Sequence, residues 1–311
     1  MTDRYLDTGI HHGIPEARYH ADPAPEPSLS NSIAKLLVRQ SPLHAWHRHP
    51  RLNPDHEPDE SGDAADMGSI IHKLLLGVGA DIEEVRVRYG AKHEKAGQFV
   101  SDWRTKEAAE ARDAARDAGR IPVLPHVLEQ AHRAAAAARK QLARHPDGSM
   151  LFAPGKPEAT LVWQEDVIWC RARVDWLLDD TSLPPLDLKT TKLSAAPDSW
   201  ERRVQQEYSM QAAFYARGLR ALGRPSRHPM LFLVVEQEPP FGVSVLAPAP
   251  SLIDLAEKEV ERAIQIWTRC IREDSWPGYP PFTAYVEAKP WQVVDAELRA
   301  GREAIMQENA A

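Results

Sequence analysis

The sequence has little cysteine and no long hydrophobic run. Cys170 and Cys270 are the two cysteines among 311 residues, which excludes a disulfide framework and a four-cysteine zinc or iron–sulfur site. No apolar run approaches the ~18 residues that a membrane helix needs. The N-terminus shows no basic segment followed by an apolar one, so a secretory signal is not expected. We therefore expect a cytoplasmic protein that makes no membrane contact.

Basic residues are not in excess either. The formal net charge is −7 at pH 7, which argues weakly against nucleic-acid binding because proteins of that class are often basic. Net charge is a sum over the whole molecule, however, and a groove can be basic locally. Arg39, Arg48 and Arg51 fall close together, so a locally basic surface stays open.

Hydrophobic spacing and turn residues divide the chain into elements. Residues 1–27 are rich in proline and predict an arm without regular structure, and SLSNSIAKLL and AADMGSIIHKLLLG predict two helices. The alanine- and arginine-rich stretch before HPDGSMLF predicts a peripheral helical hairpin. Three strand-like runs follow, then a helix and a hydrophobic strand; the three runs are EATLVWQED, VIWCRARVDWLLDD and PPLDLKTT. This order predicts an α/β sandwich around a mixed sheet.

The stretch LDLKTTK combines an acid and a lysine within a predicted strand. Side chains alternate between the faces of a strand, so Asp187 and Lys189 share one face while Leu188 points into the core. Asp175 lies near the end of the preceding strand, and the turn between these strands can place both carboxylates side by side. Close carboxylates repel unless a cation lies between them, and oxygen ligands suit Mg²⁺ or Mn²⁺. A strand-end acid beside an exposed ion pair is the alternative.

Four further residues have both a functional and a structural interpretation. His72 lies in an otherwise apolar helix, where an imidazole needs a partner, and a structural histidine is the alternative. Glu158 opens the first strand at the sheet end where Asp175 is expected. Gln211 and Tyr215 are four residues apart on the following helix, so both project from one face, as residues at an ordinary helix interface also do.

The ordered set of motifs resembles a known family. The motifs that carry the resemblance are GIPEARYH, SLSNSIAKLL, SPLHAWH, MGSIIHKLLLG, PEATLVW, RARVDWLLDD, LDLKTT and YSMQAAFYARG. They resemble the RecE-type phage and prophage exonucleases, the exodeoxyribonuclease VIII group of the PD-(D/E)XK nuclease superfamily. The resemblance implies a restriction-endonuclease-like α/β core, a mixed central sheet flanked by helices, at residues 28–272. It also implies a helical insertion at about 101–146 and a tail, residues 273–311, packed on the domain.

The resemblance implies roles for individual residues as well. In the family a histidine, two acids and a backbone carbonyl bind a divalent metal and a lysine joins the cluster; the matching residues here are His72, Asp175, Asp187, Leu188 and Lys189. Glu158 matches the family's acid on the preceding strand, and Gln211 and Tyr215 match its Q-x-x-x-Y pair. The chain departs from the common pattern where Asp187 replaces a glutamate and Val174 replaces a proline.

The implied activity is a metal-dependent, ATP-independent exonuclease acting on linear double-stranded DNA. Digestion in the 5′→3′ direction would leave a 3′ single strand for a RecT-type annealing protein, and the family forms homo-oligomeric rings around DNA. The sequence contains no Walker loop (G-x-x-x-x-G-K-[ST]), which agrees with ATP independence. The alternatives are an inactive or regulatory DNA-binding protein of the same fold and an endonuclease of the superfamily.

Candidate DNA contacts lie near the N-terminal helix. An enzyme that accepts any sequence must hold DNA mainly by its phosphates, and Arg39, Arg48 and Arg51 are expected to make such contacts. Trp46 is expected to stack on a terminal base. The alternative is that these four residues belong to an ordinary solvated surface.

Overall fold

A computed structural model of the chain describes residues 5–57, 63–226 and 228–308. The chain divides into two compact units, Met1–Gly278 and Tyr279–Ala311. Residues 1–4 of the predicted arm and 309–311 of the predicted tail lie outside the described residues. Among the helices that the structure describes, none combines the length and the apolar character that crossing a bilayer requires.

The helices are distributed along the whole described chain. They are α1 Glu16–His20, α2 Asn31–Arg39, α3 Pro42–Arg48, α4 Asp63–Leu76, α5 Lys106–Asp117, α6 Pro125–Leu142, α7 Pro197–Arg203, α8 Ser209–Ala221, α9 Pro250–Glu273 and α10 Pro290–Glu308. A 3₁₀ turn, Gly148–Phe152, follows α6, and a π-helical turn, Val204–Tyr208, joins α7 to α8.

Seven strands form one mixed sheet and two form a small parallel pair. The strands are β1 Gly9–His11, β2 Ser28–Ser30, β3 Ile82–Glu84, β4 Ile121–Val123, β5 Gly155–Glu165, β6 Ile168–Leu178, β7 Leu186–Thr191, β8 Leu231–Glu236 and β9 Val243–Leu246. The large sheet has the order β1-β5-β6-β7-β8-β9, with β2 pairing beside β6. Strands β7 and β8 are parallel, as are β2 and β6, and the remaining pairs are antiparallel. The prediction of a mixed sheet is confirmed.

The N-terminal segment is more regular than the sequence predicts. Strand β1 pairs with β5 and strand β2 pairs with β6, with helix α1 between them. An arm without regular structure is therefore the wrong description of residues 9–20, and Ser28–Ser30, predicted as the start of a helix, form β2. Strands of three residues are too short to show alternation, and pairing with the long hairpin β5–β6 supplies hydrogen bonds that local sequence does not reveal.

Helices cover both faces of the sheet. On one face α2, α8 and α9 enclose a core that contains the fully buried Trp163, Phe214 and Trp267. On the other face α4 and α6 pack on β7 and β8 around Ile70 and Leu233. The alanine-rich α6 belongs to this second core, so the prediction of a merely peripheral hairpin is wrong for that helix. Its alanines are small enough to let the helix backbone approach the sheet closely.

Two features of the helices position the site. Ser30 accepts a hydrogen bond from the backbone N–H of Ile33 and so caps α2. In α4, a Cβ atom added at Gly68 would lie 2.8 Å from Oγ1 of Thr190 in β7. Glycine is therefore required at this point for α4 to approach β7, one helical turn before His72.

Candidate active site

The antiparallel pair β6–β7 brings Asp175 and Asp187 together. The register pairs Trp176 with Leu186, which sets the two aspartates on adjacent positions across the strands. The backbone N–H of Leu188 donates a hydrogen bond of 2.8 Å to Oδ2 of Asp175. Alternation along β7 sends Leu186 and Leu188 into the core under α4, as the sequence predicts.

His72, Glu158 and Asp175 form a group that could hold a metal ion. Each offers one ligand atom, and these atoms all lie within 4.8 Å of one another. Nε2 of His72 lies 3.3 Å from Oδ2 of Asp175, and its Nδ1 lies 3.6 Å from Oε1 of Glu158. The imidazole thus has the two acidic partners that its apolar helix lacks. Helix α4 and the hairpin β5–β6, which are far apart in the sequence, meet at this point.

Asp187 lies next to this group but has other contacts. Its side chain is buried, Oδ2 lies 2.6 Å from Nζ of Lys189, and Oδ1 accepts a hydrogen bond of 2.6 Å from Nε2 of Gln211. Lys189 and Gln211 are therefore in the positions that the sequence predicts for the cluster. The metal-ligand roles of Asp187 and of the Leu188 carbonyl stay predictions.

The two aspartates have opposite pKa shifts. Burial and the charge of Asp175 raise the pKa of Asp187 to about 6, in spite of Lys189. Burial alone would raise the pKa of Asp175 too, but its contacts with His72 and Lys189 outweigh burial and lower it. In the same way, the neighbouring acids outweigh burial at His72 and Lys189, and the pKa of each is raised. At neutral pH the ammonium of Lys189 is therefore charged.

Glu158 has an unusual backbone. Its φ is +52°, in the left-handed region that residues other than glycine rarely adopt. The β5–β6 ladder is paired at Pro157–Trp176 and at Ala159–Val174, and Glu158 stands between these pairs, across from Asp175. Such strain is common where a side chain is held for function. Burial raises the pKa of Glu158, and Arg173 donates to its carboxylate.

Three residues around the site were not predicted from the sequence. Arg173 lies two residues before Asp175 on the same strand, so period-two alternation could have indicated it. Tyr208 lies in the π-helical turn, with its ring centre 5.0 Å from Nζ of Lys189. Tyr19, in the N-terminal segment, has its ring beneath the guanidinium of Arg173, at 5.6 Å. Tyr215, which was predicted, is buried in the core beside the cluster, and burial raises its pKa well above the usual value.

The four candidate DNA contacts differ in exposure and in their partners. Arg51 donates to the backbone carbonyls of Ala24 and Pro25, so it holds the N-terminal segment. Arg39 is exposed and lies 4.0 Å from the carboxylate of Glu259, Arg48 is exposed and Trp46 is half-buried. DNA contact by these four residues, Arg39, Trp46, Arg48 and Arg51, stays a prediction.

The donor set of the cluster fits a divalent cation. One imidazole nitrogen and carboxylate oxygens converge at His72, Glu158 and Asp175, and such ligands suit hard divalent ions. Asp187 adds a further buried acid, whose pKa is raised by burial and by the charge of Asp175. A cation bound by the three ligands would relieve the repulsion between these acids.

Comparison with known proteins assigns the class. The family described as "PDDEXK-like domain of unknown function (DUF3799)" matches residues 47–289, more than half of the chain. The chain therefore belongs to this PDDEXK-like family, in the class of the PD-(D/E)XK nucleases. A solved structure from Eubacterium rectale, described as a "putative exonuclease", has the same fold with a TM-score of 0.52 and 13% sequence identity. The match covers 92% of this chain and 98% of that chain. No curated protein matches the chain.

Proposed function

We propose that the protein is a metal-dependent exonuclease that hydrolyses phosphodiester bonds of linear double-stranded DNA. The observation that carries the proposal is the convergence of His72, Glu158 and Asp175 beside the Asp187–Lys189 pair. Membership of the PDDEXK-like family supports nuclease chemistry. The choice of Mg²⁺ or Mn²⁺ rests on the carboxylate-rich donor set.

The chemistry follows from what phosphodiester hydrolysis requires. A water must become a nucleophile, the phosphorane must be stabilised, and the leaving oxygen must be assisted. When bound, a divalent cation lowers the pKa of its water and stabilises the developing negative charge. The neighbouring acids raise the pKa of Lys189, so we favour a role in which it orients the attacking water and offsets charge on the phosphate over one as a general base. Gln211 holds the carboxylate of Asp187 against this lysine.

The finer parts of the proposal come from the resemblance to the RecE-type exonucleases. We propose 5′→3′ digestion from double-stranded ends, which leaves a 3′ strand for a RecT-type annealing protein in phage or prophage recombination. We also propose a homo-oligomeric ring around DNA and action in the cytoplasm. The ordered motifs from GIPEARYH to YSMQAAFYARG support these proposals.

One assay tests this function against its alternatives. Linear duplex DNA with distinguishable labels on its 5′ and 3′ ends is incubated beside closed circular DNA, with Mg²⁺, with Mn²⁺ or with EDTA. We expect the linear DNA to lose its 5′ label first, the circle to stay intact and EDTA to stop digestion. Cleavage of the circle would indicate an endonuclease, and binding without any cleavage an inactive DNA-binding protein. Equal digestion in EDTA would contradict the metal site.

Lys189→Ala provides the matched variant. Since one preorganised charge at a reacting centre contributes about 10²–10³-fold to the rate, we expect a loss of that size with DNA binding retained. The control is Lys192→Ala, which removes an exposed lysine just beyond the same strand. Digestion by Lys189→Ala at the wild-type rate would remove this lysine from the mechanism.

A further inference from the structure

Lys35 is a basic residue beside the active site that the mechanism above does not use. It lies on α2, and its Nζ is 5.8 Å from the centre of the Tyr208 ring. Nζ of Lys189 lies 5.0 Å from the centre of the same ring. One aromatic ring therefore holds both ammonium groups in one neighbourhood, although the two lysines belong to different elements.

The ring that holds them is itself fixed. Tyr208 ends the π-helical turn before α8, a kind of turn that is frequent at functional sites. Its ring stacks on Trp200 with centroids 5.8 Å apart and packs at a tilt on the buried Phe232. A cation over an aromatic face is attracted by the ring quadrupole. Tyr208 thus restricts where the ammonium of Lys35 can lie.

The charge of Lys35 has no carboxylate partner. Within the described parts of the chain its ammonium makes the ring contact and no ion pair. The positive groups that act on its charge are Arg39 and Lys189, and the acids that act on it are Glu207 and Asp187. Burial first, and then the two positive groups, lower the pKa of Lys35 to about 8, so it is mostly protonated at neutral pH.

Within the described residues, the ammonium of Lys35 has no anionic partner. A half-buried charge interacts more strongly with a partner than an exposed one, because the surroundings screen it less. Each strand of a nucleic acid carries one phosphate per about 3.4 Å of helix axis. Two ammonium groups lie beside one ring, one of them at the reacting centre, and a strand held at that centre has further phosphates on either side of the one that is cut.

We propose that Lys35 binds a backbone phosphate next to the one that is cut, and so holds the strand in the active site. The inference rests on the proposed function, because it assumes that the substrate is a nucleic acid. It assigns a substrate-binding role to α2, the helix of the SLSNSIAKLL motif. Contact with a phosphate carries no sequence information, so all sequences are affected alike.

The test measures binding and cleavage separately on the full chain. Affinity for a short labelled duplex is determined in EDTA at several salt concentrations, for wild type, Lys35→Ala and Lys35→Arg. The control is Lys140→Ala, which removes an exposed lysine from α6. Kinetics with metal then give kcat and KM, and thermal unfolding shows that each variant is folded.

For Lys35→Ala we expect about tenfold weaker binding, since a hydrogen bond to a charged group is lost. The slope of log affinity against log salt should become shallower by about one unit. KM should rise while kcat stays within about threefold. Lys35→Arg should retain most of the affinity, and Lys140→Ala should match wild type.

The results that overturn the inference are distinct from those that overturn the function. If wild type binds and cuts DNA and Lys35→Ala has the same affinity and salt slope, Lys35 contacts no phosphate. If Lys35→Arg is as defective as Lys35→Ala and both unfold early, the residue acts through packing. If wild type neither binds nor cuts nucleic acid, the proposed function fails and the role of Lys35 fails with it.

Discussion

Two buried aspartates, Asp22 and Asp187, have basic partners, yet their pKa values are shifted in opposite directions. Asp22 accepts hydrogen bonds from the backbone N–H and the hydroxyl of Ser28, at 2.8 and 2.6 Å. Nη1 of Arg171 lies 3.1 Å and Nε2 of His49 3.3 Å from its carboxylate. Burial alone would raise the pKa of Asp22, but these partners outweigh it and lower the pKa.

Asp187 has two partners and a competitor. Lys189 and Gln211 contact its carboxylate, but burial first, and then repulsion from Asp175, raise its pKa to about 6. The first aspartate is a balanced structural group that ties the N-terminal segment to β6. The second lies beside another acid, Asp175, whose repulsion adds to the effect of burial, and pKa values perturbed in this way cluster at functional sites. Burial alone does not distinguish them; the balance of charge does.

The largest effect on stability is expected from Asp22→Asn. Removing this charge leaves Arg171 buried without its acid, and breaking a buried pair costs about 3–5 kcal/mol. Urea unfolding in EDTA should show a loss of about 3 kcal/mol. Asp166→Asn is the matched control, because Asp166 is exposed and has a φ of +55°, close to the +62° of Asp22. A loss below about 1 kcal/mol would mean that Asp22 does not have the structural role assigned to it.

A smaller effect is expected from Gly68→Ala, which bears on the catalytic cluster and not on Asp22. The added Cβ would lie 2.8 Å from Oγ1 of Thr190, so α4 must shift and carry His72 away from Asp175. Overpacking of this kind costs about 1–3 kcal/mol, and affinity for Mn²⁺, measured by calorimetry, should fall as well.

The background Thr190→Ala isolates this contact. Without Oγ1 the new methyl has room, so Gly68→Ala should reduce stability less in the Thr190→Ala background. Alanine is also favoured over glycine in a helix by about 1 kcal/mol. Gly301→Ala in α10, where no atom lies within 4 Å of the added Cβ, is the control for helix propensity. An equal cost with and without Thr190 would contradict the close approach of α4 to β7.

Features that depend on local sequence pattern could be predicted, whereas features that depend on tertiary arrangement could not be predicted from local pattern. Alternation placed Asp187 and Lys189 on one face because a strand has period two whatever it packs against. The contact between His72 and Asp175 spans more than a hundred residues, and no local pattern contains it; it followed from the resemblance to a family.

Other features have no local signal at all. The left-handed backbone of Glu158 and the pairing of β1 and β2 depend on the hairpin β5–β6 beside them. Asp22 reads as an ordinary loop acid in the sequence, because its partner Arg171 is contributed by a distant strand. The peripheral position predicted for the alanine-rich α6 rested on its hydrophobicity, whereas the small size of its side chains decides how deeply the helix packs.

The smallest effect expected is a change in the pH dependence of stability between wild type and Asp187→Asn. With a folded pKa of about 6, Asp187 binds a proton in the native protein at pH 5 but not in the unfolded chain, whose pKa is near the ordinary value of 3.8. The group therefore stabilises the fold below its folded pKa, and this contribution is lost as pH rises through about 6. Wild type should gain about 1 kcal/mol relative to Asp187→Asn between pH 7 and pH 5.

Asp22→Asn provides the comparison, because the pKa of Asp22 is shifted in the opposite direction. Because the pKa of Asp22 is lowered, its contribution is present at neutral pH and is lost only as pH falls below the ordinary range of aspartate. Between pH 7 and pH 5 the titration of Asp22 itself should therefore leave the difference between wild type and Asp22→Asn unchanged, and any change there comes from His49, whose imidazole contacts Asp22. Unfolding in EDTA at both pH values measures both slopes. Equal slopes for the two variants would mean that Asp187 is as well balanced as Asp22, and the case for a cation site at Asp187 would then lack its electrostatic basis.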